Sequence, residues 1–232
     1  KVKAIINVTS DKCYENKEWL WAYRENEPMG GHDPYSNSKG CSELVTAAFI
    51  NSYFGHPDSQ TFVASGRAGN VIGGGDWAED RLIPDIIRSF SKNESVSIRF
   101  PNAVRPWQHV LEPLSGYLLL AEKLYHDKHH YVGGWNFGPL DSETKTVAQI
   151  VNQMCEIWGD AANWSRDGND NPHEANLLRL DCSKARMVLG WQPVWNSSIT
   201  LDKLTLWYKA YFAGQNMLEL SQQQINQYMK DL

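Results

Sequence analysis

Short apolar runs alternate with amphipathic stretches along this chain, and this alternation limits its fold more than any other feature. Residues 2–8 and 61–64 are almost continuously apolar, which is typical of parallel strands buried on both faces. Between them, the apolar positions of segment 35–53 follow the spacing of one helix face. Strands that alternate with helices predict an α/β fold with a parallel sheet.

The rest of the chain continues the alternation. Further strands are predicted at 96–100, 135–137 and 177–180. Further helices are predicted at 82–91, 112–126, 146–158, 183–189, 199–212 and 221–232, with Gly190 ending the fourth of these. Segments 15–33 and 71–80 are rich in glycine and polar residues, which indicates loops. Because strand signals are fewer in the second half, we expect that half to form a smaller, more helical lobe.

Two polar segments offer the groups that proton transfer needs. Ser10, Asp11 and Lys12 follow the first predicted strand, and Tyr35 and Lys39 open the first predicted helix. Residues at i and i+4 share a helix face, and an ammonium beside a phenol favours the phenolate, although this spacing is also common on helix surfaces by chance. Such a tyrosine can accept a proton from a sugar hydroxyl near neutral pH. Because ligands of open α/β sheets bind at the carboxyl ends of strands, we expect both segments to line one cleft.

Composition narrows the class of partner. The 232 residues carry a net charge of −5, which argues against nucleic acid or an anionic membrane surface as the main partner. No apolar stretch reaches the roughly 20 residues that span a bilayer. The four cysteines lie far apart and lack the spacing of metal ligands. We therefore expect free thiols, no metal site and a reducing, cytoplasmic compartment.

Four motifs occur in an order that carries a family resemblance. They are Thr9-Ser10-Asp11-Lys12 after a strand, Tyr35-x-x-x-Lys39, Arg67-Ala68-Gly69-Asn70-Val71-Ile72-Gly73 and Arg105-Pro106-Trp107-Gln108-His109-Val110. Together they resemble the extended short-chain dehydrogenase/reductase family and, within it, the nucleotide-sugar 4,6-dehydratases. The resemblance implies a Rossmann-type doubly wound parallel sheet, here without its first strands, and a smaller C-terminal α/β lobe that binds substrate.

The same resemblance implies a division of the chain. Residues 1–75 would be the C-terminal part of the NAD-binding domain. Residues 76–232 would mainly form the substrate lobe, with a segment at about 103–127 returning to the Rossmann sheet. It also implies a homodimer that packs two helices from each subunit together, one of them the helix that starts near Tyr35.

In such enzymes NAD serves as a cofactor that is not consumed, and the resemblance assigns a role to each polar residue. Tyr35 would remove the proton from the 4-hydroxyl of the sugar, and Lys39 would hold the nicotinamide ribose. Ser10 would hydrogen-bond O4, and Asp11 would protonate the departing 6-hydroxyl. Lys12 would take the C5 proton, which requires its neutral form; alternatively it steadies charge on O4, or it is an ordinary exposed lysine.

Six other residues are candidates for contacts with the ligands. Ala68 is a candidate cofactor contact beside Tyr35 and Lys39. The candidate substrate-binding residues are Asn70, Arg81, Arg105, Asn136 and Arg179. A guanidinium suits bidentate phosphate binding, whereas the alternatives are a turn asparagine for Asn70 and a salt bridge for Arg105.

The substrate branch rests on few residues. Relatives that act on dTDP-glucose usually carry Thr-Asp-Glu where this chain has Ser10-Asp11-Lys12. Lysine in place of glutamate, together with Gly73-Gly74-Gly75-Asp76-Trp77, resembles the branch that acts on CDP-glucose. That branch implies a small nucleotide sugar as partner and a route to the dideoxy sugars of bacterial lipopolysaccharide.

Alternatives remain because the glycine fingerprint of a dinucleotide site is missing. Neither Gly30-Gly31 nor the later glycine run has the required spacing, so we expect about the first third of such an enzyme to precede Lys1. One alternative is an epimerase, decarboxylase or dehydratase of the same family that acts on another sugar, such as a dTDP- or GDP-sugar. The other is a sugar-nucleotide-binding fragment without catalysis.

Overall fold

The first of two units is built on a parallel sheet. The computed structural model describes residues 2–159, 162–169 and 177–232. The first unit consists of 1–69, 112–138 and 177–193. Its strands are β1 (Ala4–Val8), β2 (Phe62–Ala68) and, later in the chain, Gly133–Phe137. The order β1–β2–Gly133–Phe137 is parallel throughout, as the sequence predicts.

The central strand and the first strand differ in burial. All seven residues of β2 are buried, as expected for a strand with a neighbour on each side. In β1, however, the side chains of Ile5 and Val8 are exposed, Val8 by 53%. Among the three strands described, β1 has a hydrogen-bonded neighbour on one side only.

Helices of the first unit lie close to their predicted positions, although the apolar side chains of α1 (Pro34–Phe49), among them Leu44 and Phe49, are exposed. Helix α1 begins after Asp33, whose side chain accepts the backbone N–H of Ser36. The predicted end at residue 53 is reached through a π-helical turn, Ile50–Phe54. The helix predicted at 183–189 is present as a π-helical turn, Ala185–Leu189. Gly190 ends it with a left-handed φ of 77°. The predicted strand at 177–180 is wrong, since Leu180 forms only an isolated bridge with Tyr23.

The second unit consists of 70–111, 139–176 and 194–232, and it is comparable in length to the first. It has no large sheet among its described residues, only three two-stranded pairs. The strands of the second unit are β3 (Val71–Ile72), β4 (Val96–Ile98), β5 (Val104–Arg105), β6 (Gln108–His109), β8 (Lys145–Thr146) and β9 (Trp164–Arg166). Its helices are α2 (Leu82–Ser91), α4 (Val147–Trp158), α5 (Ser197–Phe212) and α6 (Met217–Asp231). Helix α3 (Leu111–Asp127) and strand β7 (Gly133–Phe137), which lie between β6 and β8 in the chain, belong to the first unit.

Capping side chains explain where these helices begin. Thr146 and Gln149 form a reciprocal capping box at the start of α4, which confirms the helix predicted from 146. Helices α5 and α6 begin earlier than predicted, because Asn196 and Asn216 cap them. Two-residue strands such as β3 and β5 were not predicted, since a run of two residues gives no periodicity.

Each unit has an apolar core of its own. In the first, Leu120, Leu124, Trp135 and Phe137 are fully buried between the sheet and its helices. In the second, aliphatic side chains of α2, α4 and α5 pack together. All four cysteines are free, and no helix in the described part of the chain is long and apolar enough to cross a membrane.

A buried histidine makes the stability of the second unit depend on pH. Burial, together with a smaller contribution from the charge of Lys203, lowers the pKa of His109 to about 4. Its Nδ1 accepts the backbone N–H of Leu111 at 3.2 Å, and its ring meets Trp195 edge to face. A protonated ring would present a second donor to that N–H, so the neutral form is the one that fits.

We predict that this histidine destabilises the fold as the pH falls from about 6.5 to about 4. The unfolded chain binds the proton first, because the pKa of His109 is lower in the folded state, and the loss approaches about 3 kcal/mol. Urea unfolding measured across this range should show a steeper fall for the wild type than for His109→Gln. Equal slopes for the two proteins would contradict the prediction.

Candidate active site

The polar triplet after β1 forms a tight turn at the end of the strand. Ser10 caps a single 3₁₀ turn, Asp11–Cys13, by accepting the backbone N–H of Lys12 at 3.2 Å. The same Ser10 hydroxyl donates to Asp11 Oδ1 at 2.9 Å. Asp11 is only 2% exposed, whereas Lys12 is exposed. The turn therefore buries the carboxyl and leaves the amine accessible.

Helix α1 presents its tyrosine and lysine together. The ammonium Nζ of Lys39 lies 5.7 Å from the centre of the Tyr35 ring, one helical turn away. Tyr35 is 54% exposed, so its hydroxyl can be reached by a ligand. This is the geometry that the i, i+4 spacing predicts.

The turn and the helix meet at backbone level. Gly40, the residue after Lys39, lies against the Cys13 carbonyl and Gly30, and a Cβ here would be 3.2 Å from the Cys13 oxygen. Hydrogen bonds from Ser36 hold the pKa of Asp33 below its usual value, and the positive charge of Lys12 contributes. Lys12 therefore lies near the beginning of the helix that carries Tyr35. The structure brings the two predicted segments together.

A buried ion pair holds this arrangement. Glu43, one turn beyond Lys39, receives two hydrogen bonds from Arg67 of β2, at 2.9 Å to Oε1 and 2.8 Å to Oε2. The hydroxyl of Thr9, next to Ser10, donates to the same carboxylate. Burial raises the pKa of Glu43, but the hydrogen bonds and charge of Arg67 outweigh it, so the net pKa is lowered. The pair stays ionised with its charges mutually satisfied.

The arginine continues the network into β7. Its Nη1 donates to the Tyr14 hydroxyl at 2.8 Å and to the Glu25 carbonyl at 2.9 Å. Tyr14 in turn donates to Asn136 Oδ1 at 2.7 Å, and burial raises the pKa of its phenol. These contacts join loop 15–33 to the sheet.

Asn136 is engaged on every side. Its amide nitrogen donates to the carbonyls of Tyr23 and Asp181, its oxygen accepts from Tyr14, and its backbone N–H donates to Glu25. It is fully buried. We infer that Asn136 holds loop 15–33 against β7. Its role as a substrate ligand stays a prediction, which its burial disfavours.

The end of β2 packs directly on the acidic residue. Ala68 is buried where β2 ends, and Gly69 follows it. A Cβ on Gly69 would lie 2.0 Å from Asp11 Oδ2, so only glycine allows the carboxyl to approach the backbone here. Ala68 therefore lies one residue from the Asp11 contact, and its predicted role as a cofactor contact stays a prediction.

The remaining candidates lie in different surroundings. Arg179, in the first unit, donates to the Leu20 carbonyl. In the second unit, Asn70 has a left-handed φ of 42° and its carbonyl accepts from Gln108. Arg105 is buried and donates to the Val104 carbonyl at 2.9 Å, whereas Arg81 is exposed and pairs with Asp76 at 2.9 Å. Their roles in binding substrate stay predictions.

Sequence reasoning missed the residues that hold the site. Arg67 stands inside a strand whose other members are small or apolar, and a buried arginine almost always has an acidic partner. Glu43 continues the i, i+4 series of Tyr35 and Lys39 on α1. These two signals together could have predicted the pair. Among the described residues, no group of three or more His, Cys, Asp or Glu side chains could hold a metal ion.

The parallel sheet, with a polar turn at a strand end and a Tyr–Lys helix beside it, defines a Rossmann-type α/β protein. A UDP-glucose-4-epimerase from Stenotrophomonas maltophila, solved with bound NAD and a UDP-sugar, has a TM-score of 0.78 at 16% identity, over 92% of this chain and 65% of that one. A dTDP-glucose 4,6-dehydratase from Bacillus anthracis in complex with NAD has a TM-score of 0.69 at 20% identity, over 88% and 61%. At such identities the likeness concerns the fold.

The chain belongs to the NAD dependent epimerase/dehydratase family, whose pattern matches residues 1–134. The CDP-glucose 4,6-dehydratase of Salmonella typhimurium strain LT2 is 58% identical over 231 residues, which are 98% of this chain and 64% of that protein. The chain thus spans less than two thirds of the length of this relative and of the two solved structures.

We predict that breaking the buried pair strongly destabilises the first unit. Glu43→Gln leaves the Arg67 charge buried without its counter-charge, which costs about 3–5 kcal/mol of unfolding free energy. The double variant Glu43→Met/Arg67→Met should recover much of this loss, because two apolar side chains leave no buried charge. Urea unfolding of the single and double variants measures the coupling.

A surface pair offers the matched control. Arg24 lies 3.5 Å from Asp181 with its side chain largely exposed, so Arg24→Gln should change the unfolding free energy by less than about 1 kcal/mol. A Glu43→Gln protein as stable as Arg24→Gln would contradict the structural importance of the buried pair.

Proposed function

We propose that the full-length protein is an NAD-dependent CDP-glucose 4,6-dehydratase, a hydro-lyase that produces CDP-4-keto-6-deoxyglucose. The observation that carries the proposal is that the turn after β1 packs on α1 at Gly40, beside Lys39, on the helix where Lys39 and Tyr35 lie together. The 58% identity to the Salmonella CDP-glucose 4,6-dehydratase supports the choice of sugar nucleotide.

The residues present suit the nicotinamide side of NAD. An exposed phenol beside an ammonium is a donor set that can hold ribose hydroxyls and move a proton at the same place. Tyr35, Lys39 and Ala68 would contact the cofactor. When bound, NAD supplies a hydride acceptor at the start of the cycle and a hydride donor at its end.

The proton transfers fall to the protein. Tyr35 takes the proton of the 4-hydroxyl while Ser10 hydrogen-bonds O4. Asp11 gives a proton to the departing 6-hydroxyl, and its carboxyl is already fixed by the Ser10 hydroxyl and the close approach of Gly69. Lys12 removes the C5 proton. Its exposure near the start of α1 supports a side chain that can move to the sugar.

Substrate binding would involve the predicted residues that carry groups suited to a diphosphate. Arg81 and Arg105 carry guanidinium groups, which bind phosphate oxygens in bidentate geometry. Asn70, with its left-handed backbone, and Arg179 are the further candidates.

A homodimer is also part of the proposal. The outer faces of α1 and α3 expose apolar side chains, which are Leu44, Val45, Phe49, Leu114 and Leu118. Contiguous exposed apolar side chains on helices are typical of protein–protein interfaces. We further propose a cytoplasmic enzyme on the route to the dideoxy sugars of lipopolysaccharide.

The deciding experiment incubates the full-length protein with NAD and, separately, CDP-glucose, dTDP-glucose and GDP-linked sugars. Loss of one water from CDP-glucose alone supports the proposal, and product mass measures it. A product isomeric with its substrate would indicate an epimerase instead, which also uses a Tyr–Lys pair but needs no acid at O6. No turnover of any sugar, without binding of NAD, would favour the sugar-nucleotide binder.

We predict that Tyr35→Phe lowers kcat by roughly 10²- to 10⁴-fold, the contribution of a general base. Circular dichroism and the unfolding midpoint should stay unchanged, because the ring remains and the side chain is exposed. Tyr125→Phe, which removes a phenol half-exposed on α3, is the matched control and should retain wild-type turnover. Full activity of Tyr35→Phe would remove Tyr35 as the base.

We predict that Lys12→Met slows exchange of the C5 proton with solvent more than it slows oxidation at C4. The reason is that only the C5 step needs the amine. Deuterium incorporation at C5 and single-turnover NADH absorbance measure the two steps, with the exposed Lys17→Met as control. Equal slowing of both steps would count against Lys12 as the base.

A further inference from the structure

The glycine run Gly73-Gly74-Gly75, a few residues before Arg81, packs against an aromatic side chain of α5. A Cβ on Gly74 would be 2.2 Å from Cδ2 of the Trp207 indole, so the backbone touches the ring where only glycine fits. Gly75 adopts a left-handed φ of 84°. The contact with α5 therefore restricts the backbone conformation of this glycine run.

A phenol on the next residue of α5 fixes the end of this run. The Tyr208 hydroxyl donates to the Asp76 carbonyl at 2.8 Å and accepts the Asp76 backbone N–H at 3.1 Å. Tyr208 is 0% exposed. Burial raises the pKa of its phenol to about 12, so the hydroxyl stays neutral and keeps both its donor and its acceptor role near neutral pH.

The side chain of Asp76 in turn orients the exposed Arg81 by a hydrogen bond. Asp76 Oδ2 accepts from Arg81 Nη1 at 2.9 Å, while Oδ1 accepts the Ala78 backbone N–H at 3.1 Å. The Arg81 side chain is 65% exposed despite this contact. The guanidinium is thus oriented by one carboxylate oxygen and still has donors free to face an anion.

We propose that Tyr208 is a positioning residue, which sets the Arg81 guanidinium through Asp76 and thereby tunes affinity for the diphosphate of the nucleotide sugar. It does so without touching the ligand. The proposal rests on the proposed function in one respect, namely that Arg81 binds substrate. The alternative is that Tyr208 and Asp76 only stabilise the second unit.

The first test measures the loop without any ligand. Hydrogen–deuterium exchange of the full-length Tyr208→Phe protein should show faster exchange at residues 73–81, with the core of α2 and α4 unchanged. Tyr211→Phe removes a half-exposed hydroxyl from the same helix and keeps its ring, so its exchange should match the wild type. Unchanged exchange at 73–81 in Tyr208→Phe would overturn the proposal.

The second test measures affinity and turnover separately. Tyr208→Phe should weaken binding of CDP, followed by calorimetry, and raise KM for CDP-glucose about fivefold to tenfold, the loss expected for one hydrogen bond. Its kcat should stay at the wild-type value, because Tyr208 does not take part in the chemistry. A fall in kcat at unchanged KM would overturn the proposal.

A double variant shows whether the effect passes through the arginine. If it does, Arg81→Gln/Tyr208→Phe binds CDP no more weakly than Arg81→Gln alone. Additive losses would overturn the proposal, because they would mean that Tyr208 acts by another route. A wild-type protein that binds no nucleotide sugar would refute the proposed function and the affinity effect together, while the exchange experiment would still decide whether Tyr208 orders the loop.

Discussion

The buried ion pair between Glu43 and Arg67 is the interaction on which the candidate active site depends. It joins α1 to β2 through two hydrogen bonds, and Thr9 of the strand-end turn shares its carboxylate. An ion pair in this position adds little net stability over apolar residues, yet losing one partner is costly. We infer that its role is geometric, because both charges are satisfied by the observed arrangement of helix, strand and turn.

The same division of labour appears in both units. Some of the groups suited to chemistry or to anion binding, namely Tyr35, Lys12 and Arg81, are exposed, whereas Asp11 and Arg105 are buried. The groups that orient their surroundings, such as Glu43 and Tyr208, are buried and saturated with hydrogen bonds. Burial makes an unsatisfied polar group expensive, so a saturated buried network tolerates one arrangement and holds the exposed residues to it.

Much of this could be predicted from the sequence, for reasons that differ by element. Helices α2 and α4 follow from apolar periodicity, and the Tyr35–Lys39 contact follows from helical spacing alone. The predicted strand at 177–180 is wrong, because short apolar runs carry no information about a neighbouring strand. Asn136 is a predicted substrate contact, and only the tertiary structure shows that four hydrogen bonds inside the protein engage it.

The sequence by itself determined the α/β class, the helix face that carries Tyr35 and Lys39, and the place of Asp11 after the first strand, because local spacing and propensity are encoded in neighbouring residues. Only the tertiary structure decided that Glu43 meets Arg67, that Gly69 lies against Asp11 and that Gly74 lies on Trp207. These contacts join residues that are far apart in the chain. Whether a charge is paired or a glycine is crowded depends on packing, which no local pattern specifies.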